Sequence, residues 1–200
     1  MTMIKDCTGL VLAGGHSRRM GRDKTVLEFN GQTLLQRTVA LLQTIFPSVL
    51  VSVRRFRQDV AAPQVVDELP DAGPLAGLCA GLAKADTSWV FAVAADMPFL
   101  LPQVIQRLAE SRDDVQAVVP VIQGYPQPLA AYYATSALPV LQAFLAEPGK
   151  HSLRGALERL TVCHVDGNRL QGADPGLRSF LDLDTPDDVE VARRHECAAE

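Results

Sequence analysis

The stretch Leu12-Ala13-Gly14-Gly15-His16-Ser17-Arg18-Arg19-Met20-Gly21-Arg22-Asp23-Lys24 gathers the groups that a polyphosphate needs. It follows an apolar segment, Gly9 to Leu12, that predicts a first strand. Gly14 and Gly15 leave bare backbone where a ligand can approach closely, because neither carries a Cβ. Arg18, Arg19, Arg22 and Lys24 then place four cations within seven residues. A strand that ends in exposed amides and then cations is a site for an anion. The spacing is not that of a Walker loop, which needs Gly-Lys-Ser/Thr, nor does it contain the dinucleotide pattern G-x-G-x-x-G.

A second candidate is Asp96, which closes the apolar run Trp89 to Ala95 and precedes Met97-Pro98. A carboxylate leaving a buried strand is costly unless something compensates it. Mg²⁺ would do so, since it commonly takes one or two protein carboxylates and fills its octahedron with phosphates and waters. The competing assignment is that Asp96 caps a helix starting near Pro98 or Leu101. Pro98 biases Met97 towards an extended backbone, so the chain turns away from the strand there.

These groups need a scaffold, and the chain has the means to build one. Its 200 residues are 48% apolar and 21% charged, enough for a full core in one domain over 1–200. Composition marks no internal boundary. The net charge of −4 and pI near 5.6 argue against nonspecific nucleic-acid binding. An acidic chain that concentrates cations on one loop aims them at a local anion. Cys7, Cys79, Cys163 and Cys197 show no C-x-x-C spacing, which excludes a zinc ribbon or redox dithiol. Cys79 and Cys163 read as small core residues. No signal peptide is visible, and the longest apolar run is too short for a bilayer, so a cytoplasmic protein without a membrane partner is expected.

Short apolar runs alternate with amphipathic stretches, the pattern of an α/β fold with a mainly parallel sheet. Strands are expected at Thr8–Leu12, Val49–Val53, Val65–Val66, Trp89–Ala95, Ala117–Ile122, Leu129–Tyr133 and Thr161–Val165. Helices are expected at Thr33–Phe46, Leu75–Ala85, Pro102–Ser111, Ser136–Ala146, Leu153–Leu160 and Pro186–Arg194, with a loop over 166–179. In parallel α/β sheets, ligands collect beyond the carboxyl ends of the strands. Four clusters fall there: 13–24, 52–57, 67–77 and 95–99.

The first stretch resembles the signature of the molybdenum cofactor guanylyltransferases, a family of nucleotidyltransferases. Their pattern L-A-G-G-x-S-x-R-M-G-x-D-K stands at Leu12 to Lys24 with every fixed position filled. The resemblance implies a three-layer, Rossmann-like, mainly parallel sheet of the nucleotide-diphospho-sugar transferase type. It implies transfer of GMP from GTP to the phosphate of molybdopterin, with release of diphosphate. Leu12, Ala13, Gly14, Gly15 and Lys24 would then hold the nucleotide, with Lys24 and Arg19 on its phosphates. Arg18 and Arg22 are open between contact and solvated flank, and His16 reads as solvated. The run Ala95-Asp96-Met97-Pro98-Phe99 resembles the family's metal motif, which makes Asp96 the Mg²⁺ ligand.

Asp67 and Gly73-Pro74-Leu75-Ala76-Gly77 resemble the family's base-binding loop. A carboxylate can accept from both the ring N–H and the exocyclic amine of guanine, a pairing adenine and cytosine cannot match. The alternatives are a turn role for Asp67 and base binding by Asp71. Gln127-Pro128-Leu129 to Tyr133 resembles the strand near the acceptor, where Tyr132 or Tyr133 is either a core aromatic or a stacking surface. Gly149 to Arg154, with Lys150 and His151, reads as an acceptor-phosphate pocket or a solvated helix start. Two departures stand out: Ser52 where the family often has asparagine, and Asp182-Leu183-Asp184-Thr185-Pro186 where it often has N-x-N-T-P. Expected partners are GTP, molybdopterin or molybdenum cofactor, and acceptor molybdoenzymes or their chaperones. A CTP-using enzyme, one with a sugar or alditol phosphate acceptor, and a non-catalytic nucleotide-binding module are the alternatives.

Overall fold

The computed structural model describes residues 2–14, 27–29, 31–67, 73–149 and 151–183. Strand β1 (Cys7–Leu12) is buried along its whole length. A short hairpin of β2 (Glu28–Phe29) and β3 (Gln32–Thr33) leads into α1 (Leu34–Gln43). Thr33 and Gln36 cap that helix reciprocally, each side chain bonded to the other's backbone N–H. Then come β4 (Ser48–Val53), β5 (Gln64–Val66), α2 (Pro74–Lys84), β6 (Trp89–Ala94) and α3 (Pro102–Ala109). The second half holds β7 (Ala117–Ile122), β8 (Tyr125–Pro126), β9 (Ala130–Ala134), α4 (Leu138–Ala146), α5 (Leu153–Leu157) and β10 (Val162–Asp166).

The strand order is β10-β7-β9-β6-β1-β4-β5, with β8 beside β7. The pairs β1–β4, β1–β6, β4–β5 and β7–β10 are parallel, whereas β9 runs antiparallel to both β6 and β7. Continuous apolar strands such as VLVSV and VFAVA suit this arrangement, because helices cover both faces. Leu42 of α1 and Phe46 just beyond it, with Val104, Ile105 and Leu108 of α3, pack on Val11, Phe91 and Val93. On the opposite face, Leu75, Leu78 and Leu82 of α2 join Leu141 and Leu157 against Leu10, Leu12 and Val90. Alternate residues of β1 thus feed two separate cores, which makes three layers.

Several elements differ from the sequence expectation. Helix α5 stops at Leu157, three residues early, as the chain turns through Glu158–Arg159 into β10. Residues 135–137 form a 3-10 turn before α4 rather than its first turn. The expected loop 166–179 carries 3-10 turns at Gly167–Arg169 and Arg178–Phe180. It is pinned by Asp174, which is buried and accepts the Ser179 N–H at 2.7 Å. The hairpin β2–β3 and the reversed direction of β9 have no counterpart in the expectation. The expected helix at Pro186–Arg194 and Cys197 lie outside the described residues.

Tyr132 and Tyr133 are core aromatics. Tyr132 is fully buried, donates to the Ile105 carbonyl at 3.0 Å and packs against Phe91 with 4.8 Å between centroids. Tyr133 donates to the Pro128 carbonyl at 2.8 Å. Cys79 is buried, and burial pushes its thiol up to about 11, as a structural cysteine requires. Cys163 is only half-buried.

Candidate functional site

Register brings the strand ends to one level. Leu12 pairs with Ser52 of β4 on one side and Ala94 of β6 on the other, and Ser52 pairs with Val65 of β5. Three backbone bonds carry the ladder one residue past the strands: Ala13 N–H to Ser52 O at 2.9 Å, Ala95 N–H to Leu12 O at 3.3 Å, and Asp67 N–H to Val53 O at 3.2 Å. Ala13, Arg54, Asp67 and Ala95 therefore leave the sheet along a single rim. This is where a parallel sheet collects its ligands.

The centre of that rim is Gly14. A Cβ placed on it would lie 3.4 Å from Asp67 Oδ2 and 3.4 Å from Arg54 Cγ. Any side chain there would fill the gap between the two, so glycine keeps the space open. Asp67 is half-buried, and burial lifts its carboxyl above the usual carboxylate range, while the nearby Arg54 guanidinium opposes the lift.

Helix α2 covers this part of the rim. Gly73 opens it at φ 64°, ψ −154°, a conformation open essentially to glycine alone, and Pro74 fills the favoured first turn. Gly77, one turn in, lies against the sheet so closely that a Cβ would fall 2.5 Å from Ser52 Oγ and 2.9 Å from Leu12 Cδ2. Ser52 is accordingly 1% exposed and faces the helix rather than solvent. The position where the family often carries asparagine is here sealed under α2.

Asp96 sits on the other flank of β1, two residues past the end of β6 and half-buried. Helix α3 begins only at Pro102, with Leu101 before it and no side-chain cap, so Asp96 does not cap a helix. The Leu101 N–H is taken by Ser179 Oγ at 3.1 Å instead. The Leu183 N–H donates to the Asp96 carbonyl at 3.0 Å, which brings Asp182 and the end of the described chain beside the metal candidate. Leu183 is anchored by packing with Leu34, Leu27 and Phe99.

The structure thus groups Leu12, Ala13, Gly14 and Asp67, with Asp96 one strand away. Gly15, His16, Arg18, Arg19, Arg22 and Lys24 lie outside the described residues, as do Asp71, Lys150 and Asp184. Around Gly149–Arg154, His151 Nε2 pairs with the Glu147 carbonyl at 2.8 Å, its ring packs edge-on against Phe144, and Arg154 lies over the Tyr125 ring at 5.8 Å. Those contacts order a helix start capped by Ser152. From sequence, 52–57 is a cluster at a strand end with Ser52 in place of the family's asparagine, and its faces are not sorted. Its sorting into a buried Ser52 and a rim-facing Arg54 follows from the two-residue period and the α2 contact. Among the described residues no three metal-binding side chains converge. Asp96 alone suits a metal that arrives with phosphates, because Mg²⁺ accepts one protein carboxylate and completes its shell with substrate and water.

Comparison with known proteins identifies the family and the fold. The MobA-like NTP transferase domain matches residues 9–162, a span that contains the whole rim. A probable molybdenum cofactor guanylyltransferase of Natronomonas pharaonis is 36% identical, over 93% of this chain and 96% of its own. The crystal structure of molybdopterin-guanine dinucleotide biosynthesis protein A from Archaeoglobus fulgidus superposes with a TM-score of 0.84 at 29% identity, covering 96% of this chain and all of that one. A 2-C-methyl-D-erythritol 4-phosphate cytidylyltransferase of Thermus thermophilus shares the fold at 18% identity, TM-score 0.68, over 94% of this chain and 97% of that one. The chain belongs to the MobA-like NTP transferase family, among relatives named molybdenum cofactor guanylyltransferases, and has the three-layer fold of nucleotide-diphospho-sugar transferases.

Proposed function

We propose that the protein is a single-domain guanylyltransferase that joins GMP from GTP to the phosphate of molybdopterin. The observation that carries this reading is the common level of Asp67, Gly14 and Asp96, just past the ends of β5, β1 and β6, with β4 between the first two. A carboxylate for the base, bare backbone for the phosphates and a carboxylate for a metal then lie in the order in which a nucleoside triphosphate presents its parts.

Asp67 accepts from the N1–H and N2–H of guanine, and the Gly14–Gly15 backbone admits the phosphates. Lys24 and Arg19 neutralise the diphosphate as it leaves, the role their place in the signature suggests. An acceptor phosphate oxygen attacks the α-phosphorus in line; that P–O bond forms as the bond to the β-phosphate breaks. A phosphate monoester is already anionic at neutral pH, so no residue has to remove a proton. Catalysis is positioning and charge neutralisation. Asp96 would hold a Mg²⁺ that arrives with the nucleotide, and the ion would supply Lewis-acid charge neutralisation at the phosphates.

No helix among the described residues is long and apolar enough to cross a membrane. We place the reaction in the cytoplasm, where GTP is held, with product delivered to molybdoenzymes or their chaperones. The test is incubation of the protein with Mg²⁺, molybdopterin and each of GTP, CTP and ATP in turn, with products identified by mass. A guanine dinucleotide with GTP alone is expected. A cytosine dinucleotide would overturn the guanylyl assignment, and no diphosphate with any nucleotide would overturn transfer.

A further inference from the structure

We propose that Arg54 reads the O6/N7 edge of guanine while Asp67 reads the N1/N2 edge, so that an arginine and a carboxylate grip one base. The inference rests on GTP being the nucleotide of this site. Its grounds are where the strand ends put the side chains and which chemistry they offer.

Ser52 and Arg54 are two residues apart at the end of β4, and side chains of a strand alternate with that period. Ser52 faces α2, as its closeness to Gly77 shows, and Arg54 is directed to the same face just beyond the sheet. Val65 pairs with Ser52 and packs in the α2-side core, which brings Asp67, two residues on, to that face as well. The distances agree: Arg54 Cγ and Asp67 Oδ2 flank one methyl-sized gap above Gly14, each 3.4 Å from the position a Cβ would take. The Arg54 charge also acts on the Asp67 carboxyl, against the effect of burial.

The neighbouring candidates have other tasks. Arg57 forks onto Asp59, with Nε to Oδ1 at 3.1 Å and a terminal nitrogen to Oδ2 at 2.6 Å, and its N–H donates to Gln64 Oε1 at 2.9 Å. The Ser52 hydroxyl is sealed beneath α2. Arg54 is the donor that stands beside Asp67 over Gly14. Guanine presents two donors, N1–H and N2–H₂, next to two acceptors, O6 and N7. A carboxylate only accepts and a guanidinium only donates, through a planar fork that matches O6 and N7. Adenine puts an acceptor at N1 and a donor at N6, so it meets the wrong partner on both edges.

The test is nucleotide binding to the full chain with Mg²⁺, by calorimetry, for GTP, 7-deaza-GTP, which lacks the N7 acceptor, and ITP, which lacks the N2 amine. Wild-type protein should bind 7-deaza-GTP about tenfold more weakly than GTP, the cost of one bond of a bidentate pair. Arg54→Ala should bind the two alike while keeping its penalty against ITP. Arg54→Lys keeps a charge beside Asp67 without the fork, so it should lose most of the discrimination, and it carries the test if the alanine variant does not fold. Equal wild-type affinity for GTP and 7-deaza-GTP would overturn the proposal. So would an Arg54→Ala protein that weakens both equally and keeps the gap, since that describes a stacking or phosphate contact. Wild-type protein that binds CTP and not GTP would instead strike the guanylyl reading itself.

Discussion

Replacing Gly77 by alanine should cripple turnover while leaving the protein folded. The added Cβ would lie 2.5 Å from Ser52 Oγ and 2.9 Å from Leu12 Cδ2. Non-bonded carbons rest about 3.5–4.0 Å apart, so the Ser52 hydroxyl and the Leu12 tip must rotate away within a packed layer, or the first turns of α2 and the strand ends beneath must part by roughly 1 Å. Overpacking of this kind costs about 1–3 kcal/mol. Alanine returns about 1 kcal/mol through helix propensity. The net loss, about 0–2 kcal/mol, is small beside the roughly 5–15 kcal/mol of a typical domain. Function is more sensitive, because Leu12 leads directly into Gly14 and Ser52 precedes Arg54. A displacement of roughly 1 Å in a positioning element can cost about 10²-fold in rate. Diphosphate release gives kcat/KM for GTP, and thermal unfolding followed by circular dichroism gives stability. Adding Ser52→Ala removes the oxygen of the closest contact and should recover a large part of the lost rate. Wild-type kcat/KM in the single variant, or a loss that Ser52→Ala leaves untouched, would refute the claim that this close approach sets the site.

Three further outcomes can be checked. Asp96→Asn keeps the shape and the backbone acceptor used by Leu183 but removes one charge, so kcat should fall by about 10²–10³ with Tm unchanged; wild-type rate at saturating Mg²⁺ would remove Asp96 from the metal site. The Asp67 carboxyl is lifted by burial, so GTP affinity should fall as pH drops through the raised pKa. In the window between the ordinary and raised values the folded state binds more protons than the unfolded, so this group makes stability fall as pH rises, opposite in sign to its effect on binding. Asp67→Asn should flatten both pH profiles, and a profile unchanged in the variant would assign the titration to another group. Gly73→Ala places a Cβ in a conformation open essentially to glycine and should cost about 1–3 kcal/mol, read as a lower Tm; an unchanged Tm would mean that the start of α2 relaxes freely.

Much of this protein is written locally. The glycine- and cation-rich loop is a contiguous run, Asp96 follows directly on a buried apolar strand, and α1 announces itself through the helical spacing of its apolar residues, since each signal depends on residues a few positions apart. The level of the strand ends was also legible, because a parallel α/β pattern puts every βα turn at one edge of the sheet. Other features depend on residues distant in sequence meeting in space. That β9 runs antiparallel between β6 and β7 is a matter of pairing, and its apolar run AAYYA is equally compatible with either direction. Tyr132 and Tyr133 became core residues because Ile105 and Pro128 supply their hydroxyls with acceptors. Ser52 was buried by Gly77, twenty-five positions on, and Arg54 was brought beside Asp67 by the pairing of β4 with β5, over Gly14 of a third strand end. The sequence by itself determined which chemical groups the site could use. Tertiary structure decided which of them face one another, since packing between strands and helix, rather than local propensity, sets those distances.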